Sequence, residues 1–164
     1  MKVKNGLLAC VLSFAGVAAV APHAAMAGPT NAGLNGTINF VGSMDPTGNA
    51  TCPFQGLNAG TGILTQLGKV AFVAADCIFP SPTGLYASGT LTLTATSGDT
   101  VSGTYAGSFI PINNGAAYQM SGVMFSITSG TGRYLNARGT GTLQGTQDAS
   151  TGKGTITVSG TISY

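Results

Sequence analysis

The side chains that could do chemistry in this chain are few and widely spaced. Its carboxylates are all aspartates at four scattered positions, Asp45, Asp76, Asp99 and Asp148. The only histidine is His23, and there is no glutamate and no tryptophan. The aspartates have neither the spacing of a calcium loop nor the pairing typical of glycosidases. The sequence therefore carries no signature of carboxylate-based catalysis.

The first 27 residues have the order of a secretory signal peptide. Lys2 and Lys4 give a basic start, residues 6–20 form an uncharged apolar run, and Ala25-Met26-Ala27 has the small residues that signal peptidase requires. A membrane anchor is the alternative, but the run is shorter than the roughly 20 residues of a spanning helix, and Pro22 interrupts it. We therefore expect cleavage after Ala27 in a bacterial protein that is secreted or periplasmic.

Cleavage would leave a chain whose composition excludes several classes of protein. Without His23, neither a Ser-His-Asp nor a Cys-His nucleophile can be assembled, and imidazole metal sites are excluded. We expect no metal and no cofactor. The formal charge of +2 comes from the leader, so no basic face is left for a nucleic-acid partner. Charged residues make up 6%, against about 25% in ordinary domains, so Thr, Ser, Asn, Gln and Gly must form the wet surface.

Two cysteines remain after the leader, Cys52 and Cys77. An even number in an exported chain predicts a disulfide bond. Two free buried thiols, or one thiol that faces a ligand, are the alternatives, because no spacing rule guarantees that the sulfurs meet.

The elements that position these side chains are predicted to be strands. Over residues 85–96 the odd positions are Leu, Ala, Gly, Leu, Leu and Ala, while the even ones are Tyr, Ser and four threonines. This period of two indicates a strand with one dry face. Similar runs alternate with turn signals such as Asn113-Asn114-Gly115, and a change of parity around Gly122 predicts a β-bulge. The fold class is therefore all-β, with seven or eight antiparallel strands that close into an up-and-down barrel.

The first half of the exported chain is less regular. We expect a flexible tether over residues 28–35, followed by one barrel domain over 36–164. Residues 43–62 are rich in turn residues and predict a long functional loop or lid. Residues 63–78 are apolar with weak alternation, which favours one or two buried strands over a helix.

A family resemblance enters at residues 130–139, which read Gly-Thr-Gly-Arg-Tyr-Leu-Asn-Ala-Arg-Gly. This segment resembles the Gly-Thr-Gly-x-Phe/Tyr-x-x-Ala-Arg-Gly signature of dirigent and allene oxide cyclase-like barrels. Residues 91–105 and 154–164 are similar as well, whereas residues 28–60 match poorly. The resemblance implies an eight-stranded barrel whose lumen holds a small hydrophobic molecule. The signal peptide predicted above would precede this barrel.

What the family does differs among its members. Plant relatives cyclise an epoxide fatty acid or orient phenoxy radicals during coupling, and many bacterial relatives are exported proteins of unassigned role. The resemblance implies that Arg138 approaches the cavity and that Asp76 or Asp99 could serve as an acid. The buried glutamate of the cyclase has no counterpart here, because this chain has no glutamate.

The candidate ligand-binding residues are aromatic or charged, namely Tyr105, Tyr118, Phe125, Arg138 and Asp76. Tyr86 and Tyr134 are further large residues that could define the lumen, and core packing or an outer aromatic patch is the alternative for all the aromatic residues. An arginine in a dry cavity would need an acceptor such as Asp76, because an unpaired buried charge is costly.

We expect an exported small β-barrel that binds a small hydrophobic or phenolic molecule without intrinsic catalysis. One alternative is a cofactor-free cyclase or isomerase of the allene oxide cyclase type. Another is a structural, surface or outer-membrane barrel, and the threonines at positions 90, 92, 94 and 96 could also face ice or polysaccharide. The sequence leaves open whether the protein forms a homo-oligomer.

Overall fold

The computed structural model describes residues 28–164, so the predicted signal peptide lies outside the described residues. The described chain is almost entirely β-structure, with two single-turn 3₁₀ helices, Asn113–Gly115 and Gly132–Tyr134. No helix among residues 28–164 is long and apolar enough to cross a membrane. The strands are β1 Ala32–Asn49, β2 Cys52–Leu64, β3 Gly68–Ser81, β4 Gly84–Ala95, β5 Thr100–Ile112, β6 Ala117–Gly130, β7 Arg138–Asp148 and β8 Lys153–Ser163.

Each strand pairs antiparallel with the next, and β8 pairs with β1, so the sheet is a closed barrel. The closing pairs run from Ala32 opposite Ile162 to Val41 opposite Lys153. This confirms the predicted eight-stranded up-and-down barrel. Closure leaves no free sheet edge that could pair with another chain.

The alternation in β4 separates a buried face from an outer face, as predicted. Leu91, Leu93 and Ala95 are buried in the lumen, while the threonines between them lie on the outer wall. Tyr86 shares the outer parity and is 41% exposed, so it does not define the lumen. The predicted bulge at Gly122 is confirmed as well, because φ is +61° there and the register of β6 with β7 shifts between residues 119 and 123.

Two predictions about the first half of the chain are wrong. The tether was expected to reach residue 35, but β1 begins at Ala32 and Leu34 is fully buried. The expected loop at 43–62 is instead the end of β1 and most of β2, which are joined by a turn at Ala50 and Thr51. Residues 43–49 are exposed on both sides of the strand. They show no alternation because neither face is dry, and their polar composition therefore looks like that of a loop.

The segment that carries the family resemblance closes one end of the barrel, which we call the base. Tyr134 has no exposed surface, and its ring meets that of Tyr164 edge to face with centroids 4.9 Å apart. The Tyr134 hydroxyl donates a hydrogen bond to the carbonyl of Gln66 at 3.2 Å. Of the two interpretations of Tyr134, a lumen residue or a core residue, the structure favours core packing, because the side chain closes the base of the barrel.

Above this plug, the lower half of the lumen is filled with side chains. The residual void there is only about 20 Å³, too small for a ligand. It is lined by aliphatic and aromatic residues from several strands, including Leu34, Ile38, Leu93, Phe125, Ile127 and Val158.

The disulfide bond between Cys52 and Cys77 is present, with the Cα atoms 5.1 Å apart. Cys77 lies between the inward-facing residues Asp76 and Ile78 of β3, so the bond is on the outside of the barrel. It ties the start of β2 to β3, near the end of the barrel opposite the base. The alternative of two free thiols is therefore wrong.

We predict that removing the disulfide lowers the stability of the barrel. Its sequence separation is 25 residues, and closing such a loop removes unfolded-state entropy worth about 3.5 kcal/mol in the chain model. The double variant Cys52→Ser, Cys77→Ser should lose about that much free energy of unfolding in urea titrations. Reductant should destabilise the wild type by a similar amount and leave the double variant unchanged. An equal effect of reductant on both proteins would contradict this prediction.

Candidate ligand-binding site

The half of the lumen opposite the base is hollow. It contains a cavity of about 340 Å³ that opens towards the β1–β2 and β7–β8 hairpins. This volume is at the lower end of the range for small-molecule sites. An eight-stranded barrel has just enough interior for side chains or for one small ligand. In this barrel, side chains fill the half near the base, and the other half has space for a ligand.

The wall of the cavity is mostly apolar and aromatic. Phe40 and Phe72 form its floor, with their rings edge to face and centroids 6.5 Å apart. Phe109 and Tyr118 lie nearer the mouth. Such a wall favours the hydrophobic body of a ligand and offers π faces to it.

One acidic group is buried in this wall. Asp76 on β3 is 7% exposed, and it is the only charged side chain that is buried among residues 28–164. Its Oδ2 accepts a hydrogen bond from the Tyr105 hydroxyl and a longer one, at 3.3 Å, from Asn58 Nδ2. Its Oδ1 has no hydrogen-bond partner. A carboxylate can accept about four hydrogen bonds, so Asp76 keeps unused acceptor capacity beside the cavity.

The register of four strands explains how Tyr105 reaches Asp76. Gly56, Asp76, Gly89 and Tyr105 lie side by side on β2, β3, β4 and β5. A Cβ atom at Gly89 would overlap the backbone and side chain of β3, and one at Gly56 would overlap Asp76 Oδ1. The two glycines therefore leave space on either side of the carboxylate, and the tyrosine ring crosses over Gly89.

Burial governs the ionisation of this pair. It raises the pKa of Asp76, and the hydrogen bond from Tyr105 offsets part of that effect. The pKa of Tyr105 is also raised, first by burial and then by the charge of Asp76. Tyr105 therefore stays protonated and acts as a donor throughout the physiological range.

A second carboxylate, Asp148, lies at the mouth, where β7 turns into β8. Its Oδ1 accepts hydrogen bonds from the backbone N–H groups of Ser150 and Thr151 at 3.0 and 2.8 Å. Hydrogen bonds from these two residues lower its pKa to about 2. Asp148 therefore remains ionised and holds the turn that borders the cavity.

The structure brings together three of the five predicted ligand-binding residues. Tyr105, Tyr118 and Asp76 line the cavity. Phe125 is buried but belongs to the packed lower half, beneath the floor.

The expectation that Arg138 approaches the cavity is not met. Its side chain is on the outer surface and donates to the carbonyl oxygens of Thr128 and Ala137. The neighbouring Ala137 is buried and Leu143 faces the lumen, so the parity of β7 directs position 138 outwards. Asp99, the other candidate acid, lies in the β4–β5 turn at the base and accepts a hydrogen bond from Ser97 at 2.9 Å.

Three residues that line the cavity, Asn58, Phe40 and Phe72, were not among the predicted site residues. On β2 the inward positions are Gly56, Asn58, Gly60 and Gly62, whereas Leu57 and Ile63 are 50% and 64% exposed. Leu57 and Ile63 therefore point outwards, the reverse of the usual pattern, and Leu64 at the end of the strand is its only aliphatic residue that is buried. The only signal of the inward face was the series of glycines at every second position.

Compared with models of known protein families, with curated proteins and with solved structures, the chain gives no match. Within residues 28–164, no group of three or more His, Cys, Asp or Glu side chains could hold a metal ion. The polar groups gathered in the apolar wall of the cavity are a carboxylate, a phenol and an amide, from Asp76, Tyr105 and Asn58.

We predict that Asp76 makes the stability of the barrel depend on pH. Because its pKa is raised on folding, the folded chain binds this proton more tightly than the unfolded chain. The contribution of Asp76 to stability is most favourable below its ordinary pKa and falls as the pH rises through the raised value. The variant Asp76→Asn keeps an acceptor for Tyr105 but does not titrate.

The measurement is the free energy of unfolding of both proteins between about pH 3 and pH 7. We expect the wild type to lose stability relative to Asp76→Asn as the pH rises. The difference between the two proteins isolates Asp76, because the other carboxylates titrate in both. A difference that does not change with pH, or that changes in the opposite direction, would show that burial does not raise this pKa.

Asp148 is predicted to change the stability with pH in the opposite direction to Asp76. Its pKa is lowered to about 2, so its contribution is present above its ordinary pKa and is lost as the pH falls towards 2. Acidification should expose the amides of Ser150 and Thr151 to faster hydrogen exchange, after correction for the intrinsic rate. Asp148→Ala, which removes the acceptor, should show the fast exchange already at neutral pH, whereas Asp45→Ala, near the tip of another hairpin, should not alter these two amides.

Proposed function

We propose that this protein is an exported barrel that binds a small hydrophobic or phenolic molecule in the open half of its lumen, without catalysing a reaction. The observation that carries this proposal is the division of the lumen. The base is packed to a void of about 20 Å³, whereas the mouth keeps a cavity of about 340 Å³. A barrel with a purely structural role has no need to leave half its interior empty, since packing that space would stabilise it.

The wall supports a ligand with an apolar body and a polar end. Phe40, Phe72 and Phe109 supply apolar contact, while Asp76, Asn58 and Tyr105 form a single polar cluster. Small-molecule sites commonly combine a mostly apolar lining with a few convergent polar groups that fix orientation. The resemblance to dirigent and allene oxide cyclase-like barrels points to the same class of ligand.

A cofactor-free cyclase or isomerase is the second candidate. The hydrogen-bonded pair of Asp76 and Tyr105 favours it, because a buried carboxyl with a raised pKa can act as a general acid or base. Arg138, the cation that this mechanism would have used, lies on the outer surface. The binding function is preferred because it requires only the groups that line the cavity.

The test is native mass spectrometry of the protein expressed with its leader and recovered from the periplasm or the medium. We expect a chain that begins at Gly28 and carries a co-purified apolar or aromatic molecule. The variant Ala87→Leu places extra volume in the cavity, because Ala87 is 1% exposed and lines it. Its affinity for the ligand should fall by at least about tenfold, which corresponds to about 1.4 kcal/mol, and the occupancy should fall with it.

The matched control is Thr90→Leu, which adds a leucine to the outer face of the same strand. It should keep the ligand. Thermal unfolding of both variants checks that they fold, and Leu85→Phe is a second variant that narrows the same cavity near its mouth. If Ala87→Leu and Leu85→Phe fold and retain full occupancy, the ligand is not in the lumen and the proposal fails.

A further inference from the structure

The charges of the cavity are all of one sign. Its lining contains two ionisable carboxylates, Asp76 in the wall and Asp148 at the mouth, and none of the described residues that line it is a lysine or an arginine. The remaining polar lining groups are neutral hydroxyls and amides. A negatively charged ligand, such as a fatty acid carboxylate, would therefore enter without a counter-charge and would face repulsion from both aspartates.

Asp76 itself lacks the partners that an ionised carboxylate requires when it is buried. It receives one hydrogen bond from Tyr105 and a long one from Asn58, and Oδ1 receives none. Buried charges in proteins are normally paired with a charge of opposite sign. No lysine or arginine among residues 28–164 lines this cavity, so a partner of opposite charge would have to come from outside the described barrel.

The aromatic residues around the carboxylate suit a cation as well. Phe40, Phe72, Phe109 and Tyr118 present their rings to the same cavity. The faces of aromatic rings attract cations, most strongly where water is excluded. A protonated amine with an apolar body could pair with the carboxylate and keep its hydrocarbon part against the rings.

We propose that the lumen selects a small organic cation, a protonated amine with an aromatic or aliphatic body, whose ammonium group donates to Asp76. This inference rests on the proposed binding function and narrows the class of ligand. The weak 3.3 Å contact from Asn58 is the one the ammonium displaces, while the Tyr105 hydroxyl keeps its bond to Oδ2. Burial raises the pKa of Asp76, as expected for a carboxylate that no cation of the described chain pairs with.

The test uses three probes that share one body and differ in the charge of the end group. These are 2-phenylethylamine, 2-phenylethanol and phenylacetate, titrated by calorimetry into the protein without its leader after any co-purified ligand has been removed. At about pH 7.5 we expect the amine to bind at least tenfold more tightly than the alcohol, and phenylacetate to bind most weakly.

The pH dependence of the unmodified protein provides a check that needs no variant. The titratable groups that line the cavity are Asp76, Asp148, Tyr105 and Tyr118. The pKa of Asp148 is lowered to about 2, and the raised pKa of Tyr105 keeps its phenol protonated. Between about pH 4 and pH 8 the affinity for the amine should therefore rise as Asp76 ionises, and the affinity for the alcohol should stay constant.

Variants assign the effect to one carboxylate. In Asp76→Asn the ratio of amine to alcohol affinity should fall to about one, and in Asp148→Asn it should remain at least tenfold. A loss of the ratio in Asp148→Asn alone would overturn the assignment to Asp76. If the alcohol binds the wild type as tightly as the amine, the cation proposal fails while the binding function stands. If none of the three probes binds, both proposals fail.

Discussion

Everything in this molecule depends on the pairing of the last strand with the first. Ten residue pairs from Ala32–Ile162 to Val41–Lys153 join β1 to β8 and turn an open meander into a tube. A closed sheet has no free edge. Because the number of strands sets the diameter of the barrel, the interior has a fixed volume that the inward-facing side chains fill completely or in part. The volume of the side chains at each level of the tube then decides whether that level is solid or hollow.

The two ends of the tube meet this constraint differently. At the base, Tyr134 fills the opening and large aliphatic residues interdigitate above it. Towards the mouth, β2 contributes glycines and Asn58 to the inside, and Gly89 of β4 leaves space beside Asp76. Because these inward positions carry small residues, the cavity stays open and there is room for Asp76, the only buried carboxylate of the described chain. Cavity and polar cluster therefore have one structural origin.

The features that could be predicted from the sequence are those that depend on residues close together in the chain. The rule that Leu91 and Leu93 face inwards while Thr92 faces outwards is local to one strand, and it holds in the structure. Turn chemistry and the bulge at Gly122 are also local and were predictable. β2 could not be interpreted in the same way, because its inward face consists largely of glycines and its apolar Leu57 is exposed. In β2, the positions of the apolar residues would therefore predict the outer face as the buried one.

The order of residues along the chain was enough to predict an all-β barrel, because alternation and turn signals are properties of neighbouring residues. Tyr105 and Tyr118 were site candidates because they are large, and Asp76 was one through the family resemblance. Only the folded barrel decided that Asp76 and Tyr105 meet across Gly89, that Phe125 lies below the floor and that Arg138 points outwards. These outcomes depend on the register between strands and on the summed volume of side chains from all eight of them at one height. Both the register and the summed volume are set by residues far apart in the sequence, which come together only when the barrel closes.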